Sequence, residues 1–318
     1  MPRILTLTMN PALDVSTATA SVEPTHKLRC AAPVMHPGGG GINVARVLHR
    51  LGGDTLALYP SGGPTGAQLT GLLQAEGVPS QALPIAGDTR ESFSVHDDRS
   101  GQEYRFVLPG PTLSEAEWHA CIDRIWREPP DWLILSGSLP PGVPDDLYGQ
   151  LAEAAHGLGV RVALDASGDA LHHGLRHGVT VVKPSLRELR ELTGHPLDSD
   201  ADIVAAARSL IDTGRCQIAA VTLGDAGAIV VSAESAMRAQ SLPVTVHSAI
   251  GAGDSFLAGL VLGMSRNETP EQAFRLAMAT SAAALMRPGT ALSDPEQVAA
   301  LLPQVQVSTL GAASAGQT

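Results

Sequence analysis

The segment His247–Phe256 combines closely spaced glycines with a carboxylate at a point where a helix is predicted to begin. In Gly251-Ala252-Gly253-Asp254 the glycines allow a tight turn that exposes backbone N–H groups, and the helix adds its positive end. Such a turn forms an anion hole suited to a phosphoryl group in transfer. Asp254 can accept a proton from an attacking hydroxyl or can cap the helix, so the segment by itself leaves both roles open.

A run of four glycines, Gly38 to Gly41, precedes a predicted helix that carries Asn43 in its first turn. Glycine at every position indicates that side chains would obstruct something close to the backbone. Asn43 offers both a donor and an acceptor to sugar hydroxyls. The run is not a dinucleotide-binding fingerprint, because Asn43 stands where the third glycine of GxGxxG would fall. The chain also has no Gly-Lys pair for a Walker A loop.

The chain has only two lysines, Lys27 and Lys183, against nineteen arginines. Lys183 follows a short apolar strand, and ligands of parallel α/β sheets bind beyond that end of the strands. Ser185 begins the next predicted helix and Glu188 follows three residues later, which is the spacing of a capping box. A single carboxylate can also hold a hydrated magnesium ion, so Glu188 has two open interpretations.

A further glycine turn, Thr222-Leu-Gly-Asp-Ala-Gly227, follows another predicted strand. Its backbone is suited to contact nucleotide phosphates. It also has the composition of an ordinary hairpin turn. The sequence leaves both interpretations open.

Four cations, Lys27, Arg29, Arg90 and Arg105, lie in two stretches with the alternating pattern of extended strands. Charged residues on exposed strands often serve only to guard a sheet edge. In a chain with a formal net charge of -11, however, a group of cations favours an anionic substrate. A local basic pocket can exist within an acidic surface.

The elements that must position these residues alternate between short apolar strands and helices from residue 131 onward. This order predicts an α/β fold with a doubly wound, mostly parallel sheet. We expect one domain over residues 1–310 that includes a small β-sheet lid, formed by insertions at about 12–36 and 88–108. The polar tail 311–318 is expected to be frayed and flexible.

Composition argues against several classes of function. Hydrophobic residues make up 44% and charged residues 17% of the 318 residues, which predicts a sizeable core. The acidic balance argues against nucleic acid or an anionic membrane as partner, and no apolar run reaches the ~18 residues of a membrane helix. The three cysteines lack metal-binding or redox spacing. We therefore expect a cytoplasmic protein.

In this order, the stretches resemble the ribokinase-like (PfkB) family of sugar kinases. The resemblance covers about Arg3 to Leu302 and depends on two signatures, Pro37-Gly-Gly-Gly-Gly-Ile-Asn-Val-Ala45 and Gly251-Ala-Gly-Asp254. It implies a main α/β domain whose β-sheet lid also forms a homodimer contact, with a higher oligomer as an alternative. It implies transfer of a phosphoryl group from ATP to a sugar hydroxyl. In this reaction Asp254 would be the base, and Gly251, Ala252 and Gly253 would form the anion hole.

The resemblance also assigns residues to the nucleotide and to metal ions. The implied ATP contacts are Lys183, Ser185, Thr222, Gly224 and Gly227. Glu188 would hold Mg²⁺. A K⁺ site beside the anion hole would involve Ser248, Ile250, Ala284 and Gly289.

Within the family, the start TLTMNPALD and the stretch Ser136-Gly-Ser-Leu-Pro-Pro-Gly142 are similar to the phosphofructokinase and tagatose-phosphate kinase branch. The substrate contacts implied by that branch are Asp14, Lys27, Arg29, Gly39, Asn43, Arg90 and Ser138. Gly40 in the glycine run and Arg105 on the lid are further predicted substrate contacts. Kinases of fructose 1-phosphate typically carry lysine where this chain has Gly40. The resemblance therefore implies phosphorylation of fructose 6-phosphate, with tagatose 6-phosphate and fructose 1-phosphate as alternative substrates.

Some positions depart from the family pattern. Ser185 stands where the family usually has the asparagine of Asn-x-x-Glu, and Arg287 and Ala291 differ near the potassium loop. Serine reaches less far than asparagine, so a non-catalytic sugar-phosphate sensor on the same fold is kept as an alternative. A nicotinamide dehydrogenase is disfavoured by the absent GxGxxG.

Overall fold

The computed structural model describes residues 3–310, so the tail predicted to be frayed at 311–318 lies outside the described residues. The described residues form two β-sheets. The larger sheet contains ten strands in this order: β14 (Val307–Thr309), β13 (Ala236–Ala239), β12 (Ala228–Ser232), β11 (Cys216–Thr222), β10 (Val179–Val182), β9 (Arg161–Asp165), β8 (Trp132–Ser136), β1 (Ile4–Leu7), β4 (Thr55–Ser61) and β5 (Ser80–Pro84).

Most neighbouring strands of this sheet are parallel, from β11 across to β5, and β12 to β14 add an antiparallel edge. The strands β1 (ILTL) and β8 (WLILS) are buried at every residue. Continuous apolar strands of this kind are typical of parallel sheets that are covered on both faces. The register places Leu5 beside Leu56 and Leu133. The predicted α/β class with a mostly parallel sheet is confirmed.

Helices cover both faces of the sheet. The face that carries Ile4 and Trp132 is covered by α1 (Gly40–Arg50), α8 (Ala252–Ser265), α9 (Pro270–Leu285) and α10 (Pro295–Leu301). The face that carries Leu5 and Leu133 is covered by α3 (Glu115–Arg127), α4 (Leu147–Gly157), α5 (Gly168–Gly174), α6 (Leu186–Thr193) and α7 (Asp200–Asp212). The helix α2 (Gly63–Ala75) packs with α1 and β4 around Tyr59. Between residues 3 and 310, no helix is both long and apolar enough to cross a membrane.

A separate four-stranded sheet, here called the lid sheet, has the order β3 (Val34–Gly38), β2 (Ala12–Thr19), β6 (Arg90–Asp97) and β7 (Glu103–Val107). β2 pairs in parallel with β6 and antiparallel with β3, and β6 pairs antiparallel with β7. Its strands come from both segments that the sequence predicts as lid insertions. Residues 20–33 are not a strand, although alternation had predicted an extended hairpin through them.

The elements meet at the carboxyl ends of β8, β9 and β10. Ser136 and Asp165 are register partners at the ends of their strands, and Lys183 directly follows β10. α1 and α8 begin beside these strand ends, because Gly40 and Asp254 line the same cleft as Ser136 and Asp165. Ligands of doubly wound sheets bind at this edge.

Candidate active site

Asp254 is positioned by the start of α8. The helix follows Gly251, whose φ of 76° lies in the left-handed region that glycine adopts without strain. The carboxylate of Asp254 lies in the first turn and makes no capping hydrogen bond. Its Oδ2 instead accepts a hydrogen bond from Nδ2 of Asn43 on α1 at 2.8 Å. The helix-capping interpretation of Asp254 is therefore wrong.

A cleft of about 200 Å³ lies in front of Asp254. Its walls come from the ends of β8 and β9 and from the first turns of α1, α6 and α8. The lining residues are Gly40, Ser136, Gly137, Ser138, Asp165, Ala166, Ser167, Glu188 and Asp254. The cleft therefore brings together two of the predicted sugar contacts, the predicted base and the predicted magnesium ligand.

Lys183 and Asp165 form a buried ion pair beside this cleft. Nζ of Lys183 lies 3.0 Å from Oδ1 of Asp165, with side-chain exposures of 8% and 16%. Burial opposes the charge of Lys183, but Asp165, Asp254 and Glu188 together outweigh burial, so the pKa of the ammonium is raised. Burial raises the pKa of Asp165, and Lys183 opposes that rise. Asp165 was not predicted from the sequence, although it ends a buried strand in the same way that Lys183 follows one.

The environment of Asp254 favours a role as proton acceptor. Burial raises the pKa of Asp254 to about 6, and repulsion from Asp165 adds to the effect. The hydrogen bond from Asn43 and the charge of Lys183 act in the opposite direction. A carboxyl group with this pKa is ionised at neutral pH and is more basic than an ordinary aspartate, as general-base catalysis requires.

The turn before α8 leaves backbone donors free at the positive end of the helix. Among the described residues, no carbonyl accepts the N–H of Gly251 or Gly253, whereas the N–H of Ala252 donates to the carbonyl of Ala249 at 3.4 Å. A Cβ atom at Gly253 would lie 3.3 Å from Nζ of Lys183. The turn therefore places free N–H groups and an ammonium around one spot, which is a favourable environment for an anion.

Side chains in the glycine run would clash with neighbouring atoms of the protein. A Cβ atom at Gly38 would lie 2.2 Å from Oδ2 of Asp14, and one at Gly40 would lie 2.3 Å from Oγ of Ser136. Gly39 has a φ of 107°, which disfavours any other residue. The predicted obstruction is therefore confirmed, and the obstructed groups are side chains of β2 and β8.

Two predicted substrate contacts on the lid sheet are at least partly buried. Burial raises the pKa of Asp14 to about 6, with Arg105 opposing the rise. The guanidinium of Arg90 donates to the carbonyls of Leu108 and Asn10, both at 3.0 Å. Burial lowers the pKa of Arg90, and its buried Nε has no hydrogen-bond partner within residues 3–310. Arg90 thus uses two of its five N–H donors on the main chain, and its buried Nε is among the donors left for a ligand.

The other predicted cations are exposed. Lys27 and Arg29 lie in the loop between β2 and β3, and neither lines the cleft. Arg105 is exposed on β7, close enough to Asp14 to influence its pKa. Ser138 is exposed at the cleft, where its Oγ accepts a hydrogen bond from Nδ2 of Asn10 at 3.0 Å. The fold of a single chain therefore brings Ser138, but not Lys27 or Arg29, to the cleft.

Ser185 and Glu188 form the predicted capping box. The N–H of Ser185 donates to Oε2 of Glu188 at 2.8 Å, and the N–H of Glu188 donates to Oγ of Ser185 at 3.2 Å. Glu188 nevertheless lines the cleft. The capping interpretation is confirmed and leaves one oxygen of Glu188 without a role in the cap.

The Thr222–Gly227 turn joins the antiparallel strands β11 and β12, as the hairpin interpretation predicted. Thr222 also forms a bridge with Ser185, so the turn lies beside the start of α6. Gly224 begins a short 3₁₀ turn. A Cβ atom at Gly227 would lie 2.2 Å from the carbonyl oxygen of Ala239, so Gly227 is required for packing.

The predicted potassium residues lie in the loop before α8, at the end of α9 and in the loop after α9. The N–H of His247 donates to the carbonyl of Leu285 at 2.8 Å. On the first loop the hydroxyl of Ser248 donates to the carboxylate of Glu103 and accepts the N–H of Ile250 at 3.2 Å. Ala284 is buried in the last turn of α9, and Gly289, with a φ of 53°, lies in the loop after α9.

The chain is similar over most of its length to known proteins. A sequence model described as pfkB family carbohydrate kinase matches residues 7–297. The ATP-dependent 6-phosphofructokinase isozyme 2 of Mycobacterium tuberculosis is 46% identical over 299 residues, which are 93% of this chain and 88% of that protein. The 1-phosphofructokinase of Bacillus subtilis is 31% identical over 308 residues, which are 96% of this chain and 100% of that protein.

A solved structure shows the same similarity in three dimensions. The crystal structure of phosphofructokinase-2 from Escherichia coli in complex with fructose-6-phosphate has a TM-score of 0.91 to this chain and is 38% identical. The alignment covers 96% of this chain and 99% of that chain. Because the family match spans both glycine signatures and most of the sequence, the chain belongs to the pfkB family of carbohydrate kinases.

Proposed function

We propose that this protein is an ATP-dependent 6-phosphofructokinase, which transfers the γ-phosphoryl group of ATP to fructose 6-phosphate and forms fructose 1,6-bisphosphate. The observation that supports it best is the placement of Asp254, a buried carboxylate with a raised pKa, on a Gly-Ala-Gly turn with free N–H groups. The relatives named 6-phosphofructokinase support the choice of sugar.

The proposed reaction is an in-line transfer. Asp254 accepts the proton of the sugar hydroxyl as the oxygen attacks phosphorus, and the N–H groups of Gly251 and Gly253 donate to the moving phosphoryl oxygens. Lys183 supplies a compact positive charge beside the same turn. ATP would extend from there along Ser185 and the Thr222–Gly227 turn. Closure of the lid sheet over the sugar would exclude water and so prevent hydrolysis of ATP.

The residues present fit the two cations that the family implies. Glu188 lines the cleft with one oxygen outside the capping box, and a single carboxylate is sufficient for a hydrated Mg²⁺ ion, which would neutralise phosphate charge. For K⁺, the donors would be the Ser248 hydroxyl and backbone carbonyls of Ile250, Ala284 and Gly289. A hydrogen bond from the N–H of His247 to the carbonyl of Leu285 joins the segment before the anion hole to the end of α9 and supports this assignment.

Gly40 supports the 6-phosphate sugar over fructose 1-phosphate. Lysine at this position would place its Cβ 2.3 Å from Oγ of Ser136 and 3.2 Å from N of Gly137, so the Ser136 hydroxyl would have to move to admit it. Relatives named 1-phosphofructokinase are also similar to this chain, and tagatose 6-phosphate differs from fructose 6-phosphate at one hydroxyl. The choice of sugar is therefore the feature to test.

The test is ADP release from MgATP with fructose 6-phosphate, tagatose 6-phosphate and fructose 1-phosphate, each compared by kcat/KM. We expect fructose 6-phosphate to give the highest value. A preference for another of the three sugars would contradict the proposed substrate but would still support an ATP-dependent sugar-phosphate kinase. Binding of sugar phosphate with no turnover of any of them would favour the non-catalytic sensor.

We also propose a homodimer formed through the lid sheet. Of the eight large apolar side chains that are exposed among the described residues, six lie on or beside this sheet: Leu28, Val34, Met35, Phe106, Val107 and Leu108. Apolar surface concentrated in this way is typical of an interface. A dimer there would also bring the exposed Lys27 and Arg29 close to a second copy.

Sedimentation of the intact protein should therefore give twice the chain mass of 32.8 kDa. Replacement of Phe106 by aspartate should shift the equilibrium toward the monomer, because a charge would be buried in the apolar contact. A matched change on the opposite side of the molecule, Leu158→Asp, should leave the dimer intact, since Leu158 is exposed on a helix connection. A wild-type protein that remains monomeric at micromolar concentration would contradict the proposed dimer.

A further inference from the structure

Arg46 is a buried cation that lies one helical turn after Asn43 on α1. Its side chain is 0% exposed. Nε and Nη2 donate to the two carboxylate oxygens of Glu76 at 2.9 and 2.6 Å. Nη1 donates to the carbonyls of Pro37 at 3.0 Å and Thr290 at 2.9 Å. Arg46 therefore joins the end of β3, the end of α2 and the loop after α9.

The same nitrogen faces the side chain of Asn43. Nη1 of Arg46 lies 3.4 Å from Oδ1 of Asn43, and Nδ2 of Asn43 donates to Oδ2 of Asp254 at 2.8 Å. The amide of Asn43 thus lies between a cation and a carboxylate. A flipped amide would direct its oxygen at Asp254 and its NH₂ group at Arg46, and both contacts would be repulsive.

The ion pair with Glu76 does not by itself account for this burial. Arg50 also binds Glu76, at 2.9 Å, and both of those side chains are about a quarter exposed. A second guanidinium buried completely is costly unless its donors are used. The two N–H groups of Nη1 of Arg46 are directed at Pro37, Thr290 and Asn43. Burial raises the pKa of Asp14, the second carboxylate near the proposed sugar, and the charge of Arg46 opposes that rise.

We propose that Arg46 is a positioning residue for phosphoryl transfer, acting by fixing the amide of Asn43 so that its N–H donates to Asp254. Arg46 makes no contact with Asp254 itself, and its influence passes through one side chain. This inference rests on the proposed function, because Asp254 must be the base for the orientation of Asn43 to affect the rate.

The test is a double-mutant cycle with Arg46→Lys and Asn43→Ala in the full-length enzyme. Lysine keeps the charge but cannot hold Glu76, Pro37 and Thr290 at once, so the amide of Asn43 loses its fixed orientation. We expect Arg46→Lys to lower kcat by about 10²-fold, the size of effect that a small misplacement near the reacting groups can have. KM for ATP should remain nearly unchanged. In the Asn43→Ala background, Arg46→Lys should add less than about threefold, because the two residues act through one hydrogen bond.

A pH profile separates positioning from simple loss of stability. The hydrogen bond from Asn43 favours the ionised form of Asp254, so its loss should move the acid limb of kcat/KM to higher pH. Asp165, Lys183 and Asp14 also act on Asp254 and are unchanged in these variants. The core variant Ile125→Ala on α3 should lower the Tm without moving the acid limb, since Ile125 is buried away from the cleft.

If Arg46→Lys does not fold, Glu76→Gln provides the second variant, because it weakens the hold on the guanidinium and should move the acid limb in the same direction. Additive effects in the cycle, or an unmoved acid limb, would overturn the inference while leaving the proposed kinase activity supported.

If the wild type has no turnover, the proposed function fails separately. The ¹³C carboxyl shift of Asp254 then still reports whether Arg46→Lys raises its pKa, and an unchanged pKa overturns the inference.

Discussion

Replacement of Asp254 by asparagine is expected to lower kcat by at least about 10²-fold, the usual cost of losing a general base. Asparagine has nearly the same shape and can still lie beside Asn43, but it cannot accept the proton of the sugar hydroxyl. Binding of fructose 6-phosphate and ATP should be retained, because the variant keeps the cleft and Lys183. Turnover is measured under saturating MgATP and sugar, with binding checked by calorimetry. Near-normal turnover would remove Asp254 from the role of base.

The wild-type pH profile provides the control for this variant. Burial raises the pKa of Asp254 from 3.8 to about 6, so kcat/KM should fall as the pH decreases through about 6 and the base becomes protonated. The same shift means that Asp254 contributes stability in its protonated form, fully present below 3.8 and lost as pH rises through about 6. Asp254→Asn should therefore be at least as stable as the wild type at pH 8, and a large loss of Tm there would indicate a structural role.

Replacement of Lys183 by methionine is expected to have the second largest effect, on stability as well as on activity. The substitution leaves Asp165 buried without its partner at 3.0 Å. Breaking a buried ion pair in this way typically costs about 3–5 kcal/mol. We also expect a lower kcat/KM for ATP, because the charge beside Gly253 is lost. Urea unfolding at pH 8 measures the first effect, and initial rates measure the second.

The double variant Lys183→Met, Asp165→Asn separates these two effects. The double variant removes the carboxylate that lay 3.0 Å from Lys183, so much of the lost stability should return while activity stays low. Burial raises the pKa of Asp165, and loss of Lys183 removes the charge that opposes this rise, so Lys183→Met alone should be less destabilised at low pH than at pH 8. A double variant as unstable as Lys183→Met at pH 8 would show that the ion pair is not the source of the loss.

The features that could be predicted from the sequence are those with local causes. Buried parallel strands have continuous apolar runs, and β1 and β8 show them plainly. The turn at Gly251–Gly253 is likewise local, because glycines and the following helix lie within a few residues of each other. The capping box of Ser185 and Glu188 follows from a spacing of three residues. These features placed the cleft at the correct edge of the sheet.

The features that could not be predicted depend on contacts between distant residues. Asn43 and Asp254 are 211 positions apart in the sequence, and their hydrogen bond exists only because α1 packs against α8. Nothing in the sequence of α1 shows that Arg46 is buried, since arginine is usually exposed. The sequence analysis likewise treats Arg90 as a free cation, whereas the fold commits two of its nitrogens to main-chain carbonyls.

The central claim is that this protein transfers phosphoryl from ATP to the hydroxyl of a sugar phosphate. Phosphorus NMR of the wild-type protein with MgATP and fructose 6-phosphate tests it most directly, because it identifies every phosphorus-containing product. We predict that ADP and fructose 1,6-bisphosphate appear in equal amounts, with no inorganic phosphate. Unchanged ATP and fructose 6-phosphate, or inorganic phosphate without a sugar bisphosphate, would contradict the claim.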